Sequence, residues 1–317
     1  MLAVRPSDSL LYHALLSVLL LCCQMYALPL PAQQSVAYLG IDDRGSSTRA
    51  VVSDGFFERS FTFQRNLIFF DATLDGRAGR YVLDTGAPGL ILNLRHQPQT
   101  TAAAARGLGD EATLALGDHR VRQLSMGDRT MTDYWALGGD LRDIEARTGQ
   151  RIDGFVGYDL LSDGELRIDY IGRQFQLLKS RRRPDHRGLP PSRVINFFLL
   201  DHLPVITLRI DGKAYFFALD TGAGVNIIDR SGLPRHLLIS AGATVNVQGL
   251  DGRPTDGDVM ELGGNDLLDA QLFVTTNLAH LSTGDGDPHI SGILGSPFLS
   301  RYTAIGIDYR RRKLHLW

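Results

Sequence analysis

Short apolar runs cut by Asp- and Gly-bearing turns make up most of this chain, and the same succession of runs comes twice. Leu67-Ile68-Phe69-Phe70 and Tyr81-Val82-Leu83 flank Asp75-Gly76-Arg77. Val205-Ile206-Thr207-Leu208-Arg209-Ile210 and Ala214-Tyr215-Phe216-Phe217-Ala218-Leu219 flank Asp211-Gly212-Lys213. Asp-Gly between two apolar runs of strand length predicts a hairpin. Each hairpin then enters a tight turn and a further apolar run. Asp84-Thr85-Gly86-Ala87 precedes Leu90-Ile91-Leu92, and Asp220-Thr221-Gly222-Ala223 precedes Val225-Asn226-Ile227-Ile228. Strands are expected again at 166–169, 175–178, 304–307 and 314–316. Helical signals are brief: about one turn at Ala102-Ala103-Ala104-Ala105, a short helix within 137–147 from the spacing of Leu141 and Ile144, and single turns at 158–161 and 297–299. The pattern predicts a mostly β protein with short helices.

The two Asp-Thr-Gly-Ala motifs are 136 positions apart, and the Asp-Gly hairpin turns share that offset. Phe155-Val156-Gly157 is matched 138 positions on by Ile293-Leu294-Gly295, and Ile168-Asp169-Tyr170 is matched 139 positions on by Ile307-Asp308-Tyr309. Landmarks in constant order at nearly constant offset mean an internal duplication, and a period this long means two related lobes rather than a solenoid. The expected organisation is a leader over 1–32, a lead-in over 33–60, one lobe over 61–178, a linker over 179–196 and a second lobe over 197–317. The linker holds Arg181-Arg182-Arg183, Arg187 and several prolines. It reads as a solvated spacer, with a basic docking patch or a processing site as the functional alternative.

A carboxylate placed twice on a Gly turn between buried strands suggests that the two are brought together. Two carboxyls a few ångströms apart do not both ionise readily, so their pKa values split, and the pair can supply an ionised base and a protonated acid at once. Such a pair titrates as a unit, so the sequence names neither Asp84 nor Asp220 as base or acid. Gly86 and Gly222 let the backbone approach the carboxylates, and Thr85 and Thr221 offer hydroxyls to tie the two turns together. Ala87 and Ala223 add no hydroxyl to the pair; a Ser there would favour ionisation, so a mildly acidic working pH is expected.

The bulk numbers narrow the field. A chain of 317 residues, 44% hydrophobic, has room for two cores. A net charge of −2 gives no reason to expect nucleic acid or an anionic membrane as partner. Arg5 followed by Leu15-Leu16-Ser17-Val18-Leu19-Leu20-Leu21 reads as an export signal, with a periplasmic or secreted product, or as a membrane anchor if it stays uncleaved. Cys22 and Cys23 are the only cysteines, so after cleavage stability rests on packing rather than disulfides. No histidine spacing suggests zinc, and no Gly-x-Ser-x-Gly elbow or phosphate-binding loop is present. Neither metal nor organic cofactor is expected. Trp135, beside Tyr134, reads as a packing residue.

On the paired motifs, the chain resembles the pepsin/retropepsin superfamily of aspartic peptidases over about residues 61–178 and 197–317. The resemblance implies two acid-protease-like β-barrel lobes with a central cleft and an extended peptide or protein as substrate. It implies catalytic Asp84 and Asp220, cross-lobe hydrogen bonds from Thr85 and Thr221, and support from Phe155, Val156, Gly157, Ile293, Leu294 and Gly295. It also implies a hairpin flap, for which Gly107 and Leu108 or Gly249, Leu250, Asp251 and Gly252 are candidates. Pepsin-like enzymes usually have disulfides, a Ser after Asp-Thr-Gly and a flap Tyr. This chain has Ala in both places and no Tyr between Tyr81 and Tyr134. It looks more like two retropepsin-type units fused into one monomeric chain. The alternatives are a catalytically silent peptide-binding or scaffold protein on the same fold, and a homodimer that pairs each motif between chains. The tandem copies favour pairing within one chain.

Overall fold

The computed structural model describes residues 51–52, 57–95, 103–106, 113–248, 254–278, 281 and 288–317. The leader over 1–32, most of the lead-in, and the flap candidates Gly107, Leu108, Gly249, Leu250, Asp251 and Gly252 lie outside them. The first half contributes β1 (Val51–Val52), β2 (Phe57–Ser60), β3 (Thr62–Gln64), β4 (Leu67–Leu74), β5 (Arg77–Leu83), β6 (Leu90–Asn93), β7 (Ala103–Arg106), β8 (Thr113–Met126), β9 (Arg129–Gly139), helix α1 (Arg142–Thr148), β10 (Gly154–Val156), helix α2 (Tyr158–Leu161), β11 (Glu165–Asp169) and β12 (Gln174–Leu178). The second contributes β13 (Arg193–Leu200), β14 (Leu203–Ile210), β15 (Lys213–Leu219), β16 (Asn226–Asp229), β17 (Leu238–Gln248), β18 (Pro254–Leu262), β19 (Leu272–Thr276), β20 (Ile290–Leu294), helix α3 (Ser296–Leu299), β21 (Ala304–Asp308) and β22 (Lys313–Leu316). The fold is mostly β and is built of two repeated lobes.

Both hairpins form at the Asp-Gly turns. Asp75 and Gly76 have φ of 47° and 81°, Asp211 and Gly212 of 49° and 77°. Two consecutive left-handed residues make the two-residue turn that matches strand twist. Nothing crowds either glycine, so the backbone angle alone is what favours Gly there. In the first lobe β4, β5, β10, β6, β9 and β8 pair in that order, and β8 returns to β4, closing a six-stranded ring. In the second lobe β14, β15, β20, β16, β19, β18 and β17 follow in the same sense without a closing pair among the described residues.

Alternate residues of these strands fill different cores. Leu67, Phe69, Val82, Ile91 and Phe155 pack inside the first lobe, and their counterparts Leu203, Val205, Ala218, Ile227 and Ile293 inside the second. The intervening residues, among them Ile68, Phe70, Leu83, Ile206, Phe217 and Leu219, join one core common to both lobes. Because side chains alternate across a strand, a strand buried on both faces reads as a continuous apolar run, as Leu67–Phe70 does.

A six-stranded sheet, ordered β2, β12, β11, β21, β22, β13, joins the lobes. Its central pair is β11 with β21, antiparallel, with Arg167 opposite Gly306 and Ile168 opposite Ile305. The residues between β12 and β13 are tied across this sheet. Ser180 Oγ donates to Asp308 Oδ2 at 2.7 Å, Arg187 pairs with Asp169 at 2.7 Å, and Trp317 Nε1 donates to the Leu189 carbonyl at 2.9 Å. Arg181, Arg182 and Arg183 are exposed, but the segment as a whole is a strap rather than a free spacer, and β13 begins inside the range read as linker.

Three local expectations differ. Ala103–Arg106 is a strand paired with β8, so sheet pairing overrides the helix propensity of alanine. Residues 137–139 end β9, and the helix starts only at Arg142. Trp135 is 52% exposed while Tyr134 is buried, because neighbours on a strand face opposite sides.

Candidate active site

The two Asp turns are built the same way. β10 runs parallel to β5, setting Val156 beside Leu83, and the Asp84 N–H donates to the Val156 carbonyl at 3.0 Å. β20 runs parallel to β15, and Asp220 N–H donates to Leu294 at 3.1 Å. Each turn then closes on itself, Ala87 N–H to Asp84 O and Ala223 N–H to Asp220 O, both at 3.3 Å. The short helices hold the turns from behind: Tyr158 N–H donates to Ala87 O and Ser296 N–H to Ala223 O, each at 2.9 Å. A side chain on Gly157 would put its Cβ 2.3 Å from Ala87 O, and one on Gly295 would put it 2.4 Å from Val225 O. The backbones approach too closely for any residue but Gly, which explains the second repeated motif. Phe155 and Ile293 are the core residues that seat these strands, and Val156 and Leu294 present the carbonyls that take the Asp N–H groups.

Between the lobes the turns are tied by a reciprocal set of hydrogen bonds. Thr85 N–H donates to Thr221 Oγ1, and Thr221 N–H to Thr85 Oγ1, both at 3.0 Å. The hydroxyls donate onward, Thr85 to Leu219 O at 3.2 Å and Thr221 to Leu83 O at 2.8 Å. All four partners are buried, so each bond is sheltered from water. The glycines bring each backbone against the other lobe's carboxylate. A Cβ on Gly86 would lie 2.6 Å from Asp220 Cγ, and one on Gly222 would lie 2.4 Å from Asp84 Cγ. Asp84 and Asp220, 136 residues apart in sequence, are thereby brought together in one buried site, with Thr85, Gly86, Ala87, Thr221, Gly222 and Ala223 around them.

The electrostatics follow from that burial. Gly86 N–H at 2.9 Å and Ala87 N–H at 3.1 Å both donate to Asp84 Oδ1, and Gly222 N–H donates to Asp220 Oδ1 at 2.7 Å. Asp84 Oδ2 accepts from no backbone N–H among the described residues and faces the Asp220 carboxyl. Loss of hydration pushes the Asp84 carboxyl up to about 6, against the opposing effect of Asp220 and the backbone N–H groups. Burial, and then the charge of Asp84, push Asp220 well above the ordinary carboxylate range. Asp84 accepts two backbone N–H groups and Asp220 one, and burial of the two side by side favours the state in which the pair holds a single proton. One ionised and one protonated carboxyl side by side can deprotonate a water and donate a hydrogen bond to a carbonyl in the same step.

Several residues around the site were not legible from the motifs. Asn66 Nδ2 donates to Gly224 O at 2.9 Å from the turn before β4, and His202 Nε2 lies 2.9 Å from Gly86 O from the turn before β14. Asn66 and His202 share the offset of the two Asp residues, which is the signal that marks them in the sequence. Tyr134 OH accepts from Leu90 N–H at 3.4 Å and donates to Asp159 Oδ2 at 3.3 Å, packing so close to Gly89 that a Cβ there would sit 2.5 Å from the hydroxyl. In the second lobe Asn226 does a related job with its own side chain, accepting from Gly295 N–H at 3.0 Å and Phe298 N–H at 3.3 Å.

Comparison with known proteins adds little to this geometry. No protein-family model matches the chain, and no curated protein matches it. Among solved structures, basic 7S globulin from soybean aligns with a TM-score of 0.44 and 10% identity, over 83% of this chain and 94% of that one.

Proposed function

We propose that this chain is an aspartic endopeptidase in which one water, held between Asp84 and Asp220, is the nucleophile. The observation that carries the reading is the pair of buried carboxyls, one from each lobe, locked by reciprocal Thr hydrogen bonds and crossed glycines. A carboxyl pair kept from water is unfavourable for the fold alone, since each ionisation is opposed by burial. Proton transfer is the function that makes use of it.

In this mechanism the Asp84 carboxylate takes a proton from the water, whose oxygen attacks the scissile carbonyl carbon. Asp220 donates its hydrogen bond to the carbonyl oxygen as that oxygen gains charge. The tetrahedral species collapses when a proton reaches the amide nitrogen and the C–N bond breaks, and the dyad returns to its singly protonated form. The substrate is an extended segment of peptide or protein, since strand-like backbone pairing leaves alternate side chains to be read by pockets. No metal or organic cofactor takes part, and one chain supplies both carboxyls, so the working unit is a monomer. Export rests on the apolar N-terminal run.

The test is digestion of a mixed peptide library from pH 3 to 8 by the wild type, Asp84→Asn and Asp220→Asn. Each substitution is expected to lower the rate on the order of 10⁴-fold, the scale at which a catalytic carboxylate acts. Cleavage that survives either change sinks the dyad assignment. No cleavage at any pH by folded wild type favours a silent peptide-binding protein.

A further inference from the structure

The Thr pair is not the only link between the two Asp turns. Asn66 projects from the first lobe to the carbonyl of Gly224, four residues after Asp220, and His202 from the second lobe to the carbonyl of Gly86, two residues after Asp84. The arrangement is crosswise, and both donors precede the strand that leads into their own lobe's hairpin. Gly86 is the more consequential anchor. Its N–H donates to Asp84 Oδ1 at 2.9 Å, and its Cα lies against the Asp220 carboxyl, so this one residue touches both members of the pair. A shift of Gly86 therefore changes both the stabilisation of Asp84 and the room left to Asp220. His202 is 7% exposed, and its ring lies 6.4 Å from that of Tyr158, which stands 5.5 Å from Tyr309. Only a protonated Nε2 can donate to a carbonyl, so the neutral ring sits as the Nε2–H tautomer. Burial lowers the His202 pKa, against the pull of the Gly86 carbonyl, and so favours the neutral ring.

We propose that His202 and Asn66 are positioning residues of the dyad: each lobe lends one side-chain donor to the other lobe's Asp loop, His202 to Gly86 within Asp-Thr-Gly and Asn66 to Gly224 just past it, and these donors hold the two carboxyls at the separation that shares a proton. The inference deepens the peptidase reading but is testable without it, because proton sharing is visible in the carboxyls themselves. His202 acts through the residue that bears on both carboxyls, so it matters more than Asn66.

The experiment combines steady-state kinetics with ¹³C NMR titration of carboxyl-labelled aspartate, the dyad signals being those lost in Asp84→Asn and Asp220→Asn. His202→Phe keeps a ring beside Tyr158 and removes the donor; His202→Asn puts back the kind of donor found at Asn66. His202→Phe is expected to lower kcat about 10- to 100-fold, the effect of a small misplacement of reacting groups, with KM changed by less than about 3-fold. The two titration steps of the dyad are expected to move closer together, and His202→Asn to recover most of both losses. If His202→Phe leaves the titration and kcat as in wild type, or if His202→Asn behaves like His202→Phe, the proposal is overturned. If wild type cleaves nothing, the titration alone decides: narrowing in His202→Phe upholds the positioning role while the peptidase reading falls. If His202→Phe does not fold, Asn66→Ala is expected to give a smaller narrowing, and none at all overturns the idea.

Discussion

The two lobes agree where they meet and differ where they do not. At the interface the match is nearly atom for atom: the same Asp N–H to strand carbonyl bond, the same Thr exchange, the same glycine pressed against the other lobe's carboxyl. Away from it the symmetry lapses. The first lobe closes its six strands into a ring, whereas the second shows no closing pair among the described residues. Leu90 of the first lobe has its N–H met by Tyr134, while its counterpart Asn226 ties Gly295 and Phe298 with its own amide. Tyr158 follows one supporting glycine and Ser296 the other, and Ser296 Oγ donates to Thr221 O at 3.0 Å. The difference locates the constraint. Each Asp turn is fitted to the other lobe's turn, so a change in one must be answered in the other, whereas the outer strands answer only to their own core.

That comparison is broken most severely at the crossed glycines. Gly86→Ala and Gly222→Ala each drive a methyl into the opposite carboxyl, and each is expected to destabilise by about 3 kcal/mol or more in urea unfolding while abolishing cleavage. Gly76→Ala and Gly212→Ala, in open turns, meet only the left-handed backbone and are expected to lose about 1 kcal/mol with cleavage intact. Equal losses at all four would mean that the crossed packing is not what those motifs require.

Next in size is the pH dependence of stability. Both dyad carboxyls hold their protons more tightly folded than unfolded, where an Asp titrates near 3.9. Their contribution is therefore fully present below about pH 4 and is lost as pH rises through the folded value of about 6 for Asp84. The double variant Asp84→Asn with Asp220→Asn does not share that loss. Relative to wild type it is expected to gain about 3 kcal/mol or more between pH 4 and pH 7, the raised Asp84 alone contributing about 3 and Asp220 adding to it. A difference that stays constant across that range would show that the carboxyls are not perturbed as a pair. On the proposed mechanism, cleavage measured against pH is expected to fall as pH drops through about 6, where Asp84 takes up its proton.

The smallest effect sharpens the difference between the lobes. Asn226→Leu gives the second lobe the residue that stands at the matched position of the first, and takes the acceptor from Gly295 N–H, while Phe298 N–H keeps the Gly295 carbonyl at 3.1 Å. The expected loss is about 1–3 kcal/mol by thermal or urea unfolding. A neutral outcome would mean that the second lobe satisfies those groups as the first lobe does.

Much of the site was legible in advance because it is repeated. A single Asp-Thr-Gly marks only a turn, but the second copy at the same offset, with Gly157 and Gly295 behind it, identifies Asp84 and Asp220 before any coordinates. The glycines were legible as close approaches, though not what they approach. The offset also contains Asn66 and His202, but Asn and His are different residues, and nothing local in the sequence says that turns so far from the motifs reach them. The ties of the segment between β12 and β13 were not legible for a similar reason. Its Arg and Pro content describes a solvated segment, while its ties to Asp169 and Asp308 exist only because β11 and β21 meet.

Local chemistry, then, determined the hairpins, the tight Asp turns, the duplication and the identity of the paired carboxylates, because turn residues, strand periodicity and repeat spacing are properties of neighbours in the chain. The shared sheet, the common core, the crossed glycines and the rise of both carboxyl pKa values were decided only by tertiary structure. Each depends on residues well over a hundred positions apart being pressed together out of water, and neither distance nor burial across such a gap is written in the order of the residues.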